Sequence, residues 1–137
     1  MPRQISPANA WCFTLNNWTE SEHEFLSSKL LGLGEKYFYI VGKEVGETGT
    51  PHLQGYVALR AGKKKFRPLP TFAVMRASED AEGVAVNAVH FERAKGSRTQ
   101  NYRYCSKEGD FVTNIPKPAM TVKEATEVVE AEHASRS

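Results

Sequence analysis

Two short segments hold side chains that could act on a phosphoester. Pro51-His52-Leu53-Gln54 carries an imidazole and an amide two residues apart, and Tyr104-Cys105-Ser106-Lys107 follows about fifty residues later. His52 and Gln54 open an alternating stretch that runs on to Arg60. Residues two apart in a β-strand point to one sheet face, so an imidazole nitrogen and an amide oxygen would face the same way. That is half of a divalent-metal site, and a mixed nitrogen and oxygen set suits Mn²⁺ or Mg²⁺. Tyr104 and Lys107, three apart, would share one face of a helix. A phenol is a poor nucleophile while protonated, with an ordinary pKa near ~10. A phosphodiester in turn repels nucleophiles through its negative charge. A metal ion on the phosphate oxygens addresses the second difficulty, and a nearby ammonium eases the first. Together these residues point to phosphoester cleavage by a tyrosine nucleophile. Tyr102 competes for that role, but two residues along a helix are about 200° of rotation, so the two tyrosines cannot face one metal. A third metal ligand belongs on the neighbouring strand. Glu44 and Glu47 both stand near enough, and strand parity does not choose between them.

The elements that must hold these groups follow from periodicity. Residues 10–16 alternate, with Trp11, Phe13 and Leu15 on one face and Cys12, Thr14 and Asn16 on the other. Ser21 to Leu33 reads as a helix with Phe25, Leu26, Leu30 and Leu33 at helical spacing; Thr19 or Ser21 is its N-cap, and Gly32 and Gly34 mark its end. Residues 37–44 are rich in strand formers and, with the turn Gly46-Glu47-Thr48-Gly49-Thr50, make 37–60 a hairpin. Residues 62–66 start a basic helix or loop that Pro68 and Pro70 curtail. Residues 77–83 form a loop. Residues 86–93 alternate as one strand, with His90 and Glu92 on one side and Val89 and Phe91 on the other. Ser97 to Lys107 is a polar helix stopped by Gly109, and 110–115 adds a last short strand. The fold class is therefore α+β: an antiparallel sheet of about five strands with flanking helices. Residues 1–116 make one domain, and 117–137 a linker or tail.

Composition narrows the partners. Hydrophobic residues are 40% and charged residues 25%, a globular balance in 137 residues, enough for one core. No apolar run approaches the ~20 residues a membrane helix requires, and no signal peptide is visible. With only two cysteines, a disulfide framework is not expected and a reducing, intracellular compartment is favoured. The net charge of +2 hides an asymmetry: residues 1–59 carry four basic against six acidic groups, whereas 60–107 carry eleven against four. A basic stretch of that kind suits a polyanion. Arg60, Lys63, Lys64, Lys65 and Arg67 form its densest run, and would either track phosphates or serve as a nuclear-import signal.

Three segments resemble the motifs of the replication initiator (Rep) proteins of circoviruses and related circular single-stranded DNA viruses. They are Trp11-Cys12-Phe13-Thr14-Leu15-Asn16-Asn17, Thr50-Pro51-His52-Leu53-Gln54-Gly55 and Tyr104-Cys105-Ser106-Lys107-Glu108-Gly109. Supporting similarity lies in residues 39–44 and in His90-Phe91-Glu92-Arg93-Ala94-Lys95-Gly96. The resemblance covers roughly residues 10–110, in the family's order. It implies an HUH endonuclease domain, with a sheet related to RNA-recognition domains, that nicks a stem-loop viral origin through a covalent 5′-phosphotyrosine and so starts rolling-circle replication. The family's His-hydrophobe-His motif stands here as His52-Leu53-Gln54, with Glu44 at the matching third-ligand position, Tyr104 as nucleophile and Lys107 beside it. Asn16 and Asn17 lie where the family engages single-stranded DNA, although turn chemistry would also account for them. His90 and Glu92, on one strand face, would line the same channel, although ordinary surface residues would look the same, and Lys95 would also bind the DNA. The resemblance further implies action in the host nucleus and a helicase domain in cis in the full-length protein, the form in which an oligomer would be expected. No Gly-x-x-x-x-Gly-Lys-Ser/Thr phosphate loop occurs here. Two rival readings remain at this stage: a non-catalytic single-strand-binding module, and a metal-dependent hydrolase that uses water.

Overall fold

The computed structural model describes residues 6–61, 64–119 and 126. Its main sheet has five strands, β1 (Ala10–Asn16), β2 (Tyr37–Val45), β3 (Pro51–Leu59), β6 (His90–Arg93) and β7 (Phe111–Thr113), in the spatial order β6-β1-β3-β2-β7. Every pairing in it is antiparallel. A separate two-stranded ribbon joins β4 (Met75–Ala77) to β5 (Ala85–Asn87), and two helices complete the fold, α1 (Glu20–Gly32) and α2 (Arg98–Ser106). The architecture is α+β, as composition and periodicity imply. Among the described residues, no helix is long and apolar enough to cross a membrane.

One sheet face packs on α1. The alternation of β1 delivers Trp11, Phe13 and Leu15 to that face, where they meet Leu53, Val57, Val41, Leu26, Leu30, Phe72 and Phe91. Full burial of a leucine such as Leu30 contributes about 1.5–3 kcal/mol. Thr19 starts α1 through a capping box with Glu22: its hydroxyl accepts from the Glu22 amide, and the Glu22 carboxylate accepts from the Thr19 amide. Only Leu26 and Leu30 of α1 are fully buried. Phe25, expected in the core stripe, is instead 54% exposed, with the Lys29 ammonium 5.9 Å from its ring centroid.

The opposite face carries α2, and only part of it. Tyr102 and Cys105 pack on Ile40, Tyr56 and Ala58, so α2 covers β2 and β3. The central strands are therefore buried on both sides. On β1 and β6 the same face stays open: Cys12 and Thr14 are half-buried, and His90 and Glu92 are exposed. An antiparallel sheet tolerates one solvated face, and here that leaves a groove beside the helix.

The stretch 86–93 is not one strand. The Asn87 side chain accepts from the amides of Val74 and Val89 and donates to the Val89 carbonyl, turning the chain out of the ribbon and into the main sheet. The expected loop at 77–83 accordingly begins after β4. In the 62–66 stretch, Gly62 and Lys63 lie outside the described residues, and Lys64 and Lys65 are exposed and irregular. The tail expected at 117–137 also lies outside them, except for 117–119 and 126.

Candidate active site

The β2–β3 register sets Glu44 directly across from His52 and Gly42 across from Gln54. Paired residues share a face, so Glu44, His52 and Gln54 gather on the α2 side of the sheet, with Gln54 diagonal to Glu44. Glu47, the alternative carboxylate, is exposed in the turn. The Gln54 side-chain oxygen accepts from the Thr14 hydroxyl at 3.3 Å, which orients the amide. Residue 14 itself pairs with His90, so one row across the sheet reads His90, Thr14, Gln54, Gly42.

Gly42 admits the helix. A Cβ there would collide with the Cys105 carbonyl oxygen, which is backbone and cannot swing aside. Glycine inside a strand marks close backbone approach, and here the approach seats the last turn of α2 on the carboxylate end of the sheet. Tyr104 and Tyr102 then separate as helical rotation requires. Tyr102 is buried edge-on against Phe111, with ring centroids 5.8 Å apart, whereas Tyr104 is 51% exposed.

Lys107 links the two halves. Its ammonium lies 2.9 Å from Glu44 Oε1 and 3.8 Å from the centroid of the Tyr104 ring. The Glu44 carboxylate, foremost through that hydrogen bond, holds the Lys107 ammonium above its usual range. The Glu44 side chain is only 3% exposed, and its Oε2 is buried with no hydrogen-bond partner among the described residues. An unpaired buried carboxylate oxygen is costly, and it is the atom a bound cation would use. No three His, Cys, Asp or Glu side chains cluster for a metal among the described residues. The set here has only two members of those types, its third donor being the Gln54 amide oxygen. Its chemistry fits a hard divalent ion held with open positions, with Glu44 giving the negative ligand. Neither thiol ionises readily: burial pushes Cys105 up to about 12 and also raises Cys12.

Beside Tyr104 an open groove of ≈ 380 Å³ is lined by Cys12, Thr14, Gln54, Glu92, Arg93, Lys95, Asn101 and Tyr104. Lys95 thus stands on the groove, and Asn101 anchors its wall by donating to the carbonyls of Lys95 and Ser97. His90 does not line this groove; its ring lies 3.2 Å from the carboxylate of Glu92, which does. Asn16 and Asn17 are exposed at the end of β1, and Asn17 takes φ 53°, a left-handed conformation asparagine tolerates. The Arg76 guanidinium donates to both their carbonyls and is itself held by Glu22 at 2.8 Å. The other basic residues expected on DNA, where described, do not line this groove. Lys64, Lys65 and Arg67 flank Phe66, whose ring packs on Tyr37 and Phe72 in the α1-side core, away from the Tyr104 face. Arg60 donates to the Gly34 carbonyl at 2.7 Å and lies over Phe38. Sequence reasoning missed Thr14, Gly42, Arg76 and Asn101 as positioning residues; only Gly42 carries a local signal, a glycine amid strand formers.

Residues 8–108 match a family described as a putative viral replication protein. The chain is 46% identical over 113 residues to the replication-associated protein of Beak and feather disease virus, covering 82% of this chain and 34% of that protein. It is 39% identical over 137 residues to the replication-associated protein of Pigeon circovirus, covering 99% and 38%. The Para-Rep C2 protein of Subterranean clover stunt C2 alphasatellite is 38% identical over 120 residues, covering 82% and 35%. The chain spans about a third of the length of these relatives.

Proposed function

The chain belongs to this viral replication protein family, and from that membership we propose that it nicks and rejoins single-stranded DNA at a viral replication origin through Tyr104. One lysine carries the proposal: the Lys107 ammonium reaches both the buried Glu44 carboxylate and the exposed Tyr104 ring, tying a metal-ligand set to a nucleophile. Residues that merely decorated a binding surface would have no reason to meet in this way.

The Tyr104 oxygen attacks phosphorus, the P–O3′ bond breaks, and the products are a 5′-phosphotyrosine and a free 3′-hydroxyl. The phenolic proton leaves to solvent, and the departing 3′-oxygen takes one up. Attack by a 3′-hydroxyl on the phosphotyrosine reverses these steps and rejoins the strand. Lys107 offsets negative charge on the phenol oxygen and the incoming phosphate. A divalent ion, Mn²⁺ or Mg²⁺, held by Glu44, His52 and Gln54 would supply charge neutralisation at the phosphate oxygens. Thr14 orients Gln54, and Gly42 lets α2 close on the ligand row. The open groove holds the strand, with Lys95 toward its phosphates. The host nucleus as compartment, and a helicase domain in cis in a longer protein, belong to the same proposal.

The test is a covalent band. With labelled origin stem-loop DNA and Mn²⁺, the protein should form an adduct stable to denaturation, lost with chelator. Tyr104→Phe should abolish it while DNA binding stays near normal, because only one hydroxyl is removed. Glu44→Ala should weaken Mn²⁺ binding more than Gln54→Ala, and Glu47→Ala should leave it unchanged. A nucleotide found on Tyr102 by mass spectrometry, or damage confined to Glu47→Ala, would overturn these assignments. Binding without any adduct would leave a single-strand-binding module.

A further inference from the structure

A second groove, of ≈ 240 Å³, opens at the other end of α2, floored by Phe38, Tyr56 and Ala58 and flanked by Arg60 and Arg98. Both guanidinium groups approach the same Phe38 ring, Arg60 at 4.3 Å and Arg98 at 4.1 Å from its centroid. Among the described residues neither meets a carboxylate. Two like charges gathered at one ring without a counter-ion repel each other, and an anion in the groove that both line would relieve that repulsion. The ring restrains both side chains, and the Arg60 Nε bond to the Gly34 carbonyl fixes that guanidinium further, leaving its terminal nitrogens to bind. A restrained planar guanidinium loses less freedom on pairing with a phosphate than a mobile lysine does. The helix end itself is not the attraction, because Ser97 and Gln100 already cap it.

The position gives the ligand. Ala94 and Gly96 line this groove and Lys95, between them, lines the groove at Tyr104, so the two adjoin around the β6–α2 connection. From Arg98 to Tyr104 is six residues of helix, about 9 Å of rise. Gln54 and Ala58 stand on the same sheet face four residues apart, about 13 Å along β3. We propose that Arg60 and Arg98, restrained on Phe38, form a second phosphate-binding site for the DNA single strand, engaging its backbone a few nucleotides from the phosphate at Tyr104. This rests on the nuclease reading for its ligand, but it concerns binding and not cleavage.

The experiment is a phosphate scan on the whole chain. A fluorescent single strand carrying the cleavage site is made with one neutral methylphosphonate at a time, and affinity is read by anisotropy in the presence of chelator. In the wild type, neutralising one or two phosphates away from the scissile position should weaken binding several-fold. In Arg98→Gln, and in Arg60→Gln/Arg98→Gln, that local loss should vanish. The slope of log K against log salt should also flatten by about 0.7 for each contact removed. Arg98→Gln is the decisive variant, because it leaves the Arg60–Gly34 bond intact and its fold can be checked by melting. An unchanged phosphate profile and salt slope in Arg98→Gln would overturn the site. So would weakening seen only with duplex stems, since the strand would then lie elsewhere. If the wild type makes no covalent adduct yet gives the expected scan, the nuclease reading fails while this site stands.

Discussion

Adding one methyl group at Gly42 tests how Tyr104 is positioned. The new Cβ of Gly42→Ala would overlap the carbonyl oxygen of Cys105, the residue after Tyr104. That oxygen is backbone, so contact is relieved only if the last turn of α2 lifts from the sheet, by something on the order of 1 Å. Overpacking of this kind typically costs about 1–3 kcal/mol. For a domain of this size that corresponds to a fall in Tm of very roughly 5–15 °C. The lift also pulls Lys107 from its 2.9 Å contact with Glu44 and moves Tyr104 relative to the proposed metal ligands Glu44, His52 and Gln54. A misplacement on the order of 1 Å at reacting groups can cost ~10²-fold in rate. Thermal melting, single-turnover cleavage of a labelled origin strand and anisotropy measure the three consequences. Tm and cleavage should fall together, while single-strand affinity changes little, because six of the eight residues that line the groove lie outside α2. Gly32→Ala is the control: nothing lies within 4 Å of its added Cβ, and alanine suits a helix better by roughly 0.5–1 kcal/mol. If Gly42→Ala melts and cleaves like the wild type, α2 does not rest on the sheet as described.

Two further outcomes follow from the ion pairs. Lys107→Met leaves the Glu44 carboxylate, 3% exposed, without its cation. The loss should be about 1–3 kcal/mol, less than the ~3–5 typical of fully buried pairs, because Lys107 is 42% exposed and water reaches it. Adding Glu44→Gln should restore most of it in urea melts, and a double variant as unstable as the sum of the singles would refute the pairing. The Arg76 hydrogen bond holds the Glu22 carboxyl below its ordinary value of 4.5, so the pair's stabilisation is present above that pH and lost as pH falls through the lowered value. The stability difference between wild type and Arg76→Ala should therefore be constant near neutrality and shrink in acid. A difference that stays flat to pH ~3 would mean that Glu22 gains nothing from Arg76.

Local regularity is what the sequence by itself determines. Alternation in 10–16 assigns Trp11, Phe13 and Leu15 to one face and leaves Cys12 and Thr14 on the other. The same period puts His52 and Gln54 together, and helical rotation parts Tyr102 from Tyr104. These follow because side-chain direction repeats every two residues in a strand and every 3.6 in a helix, whatever lies beyond. Distance across the chain is not encoded that way. Whether Glu44 or Glu47 stands by His52 depends on the five-residue turn 46–50, which pairs Val45 with Pro51 and so brings Glu44 opposite His52. One residue more or less there would change the register. The uniform alternation of 86–93 hides the break at Asn87, because that break is made by hydrogen bonds to Val74, thirteen residues away. Phe25 shows the converse: its spacing allows burial, but α1 turns only Leu26 and Leu30 fully into the core. Lys107 on Glu44, Arg76 on the Asn16 and Asn17 carbonyls, and Arg60 with Arg98 on Phe38 all join residues far apart in sequence. Such meetings are decided by how helices seat on the sheet, and for α2 that seating depends on the missing Cβ of Gly42.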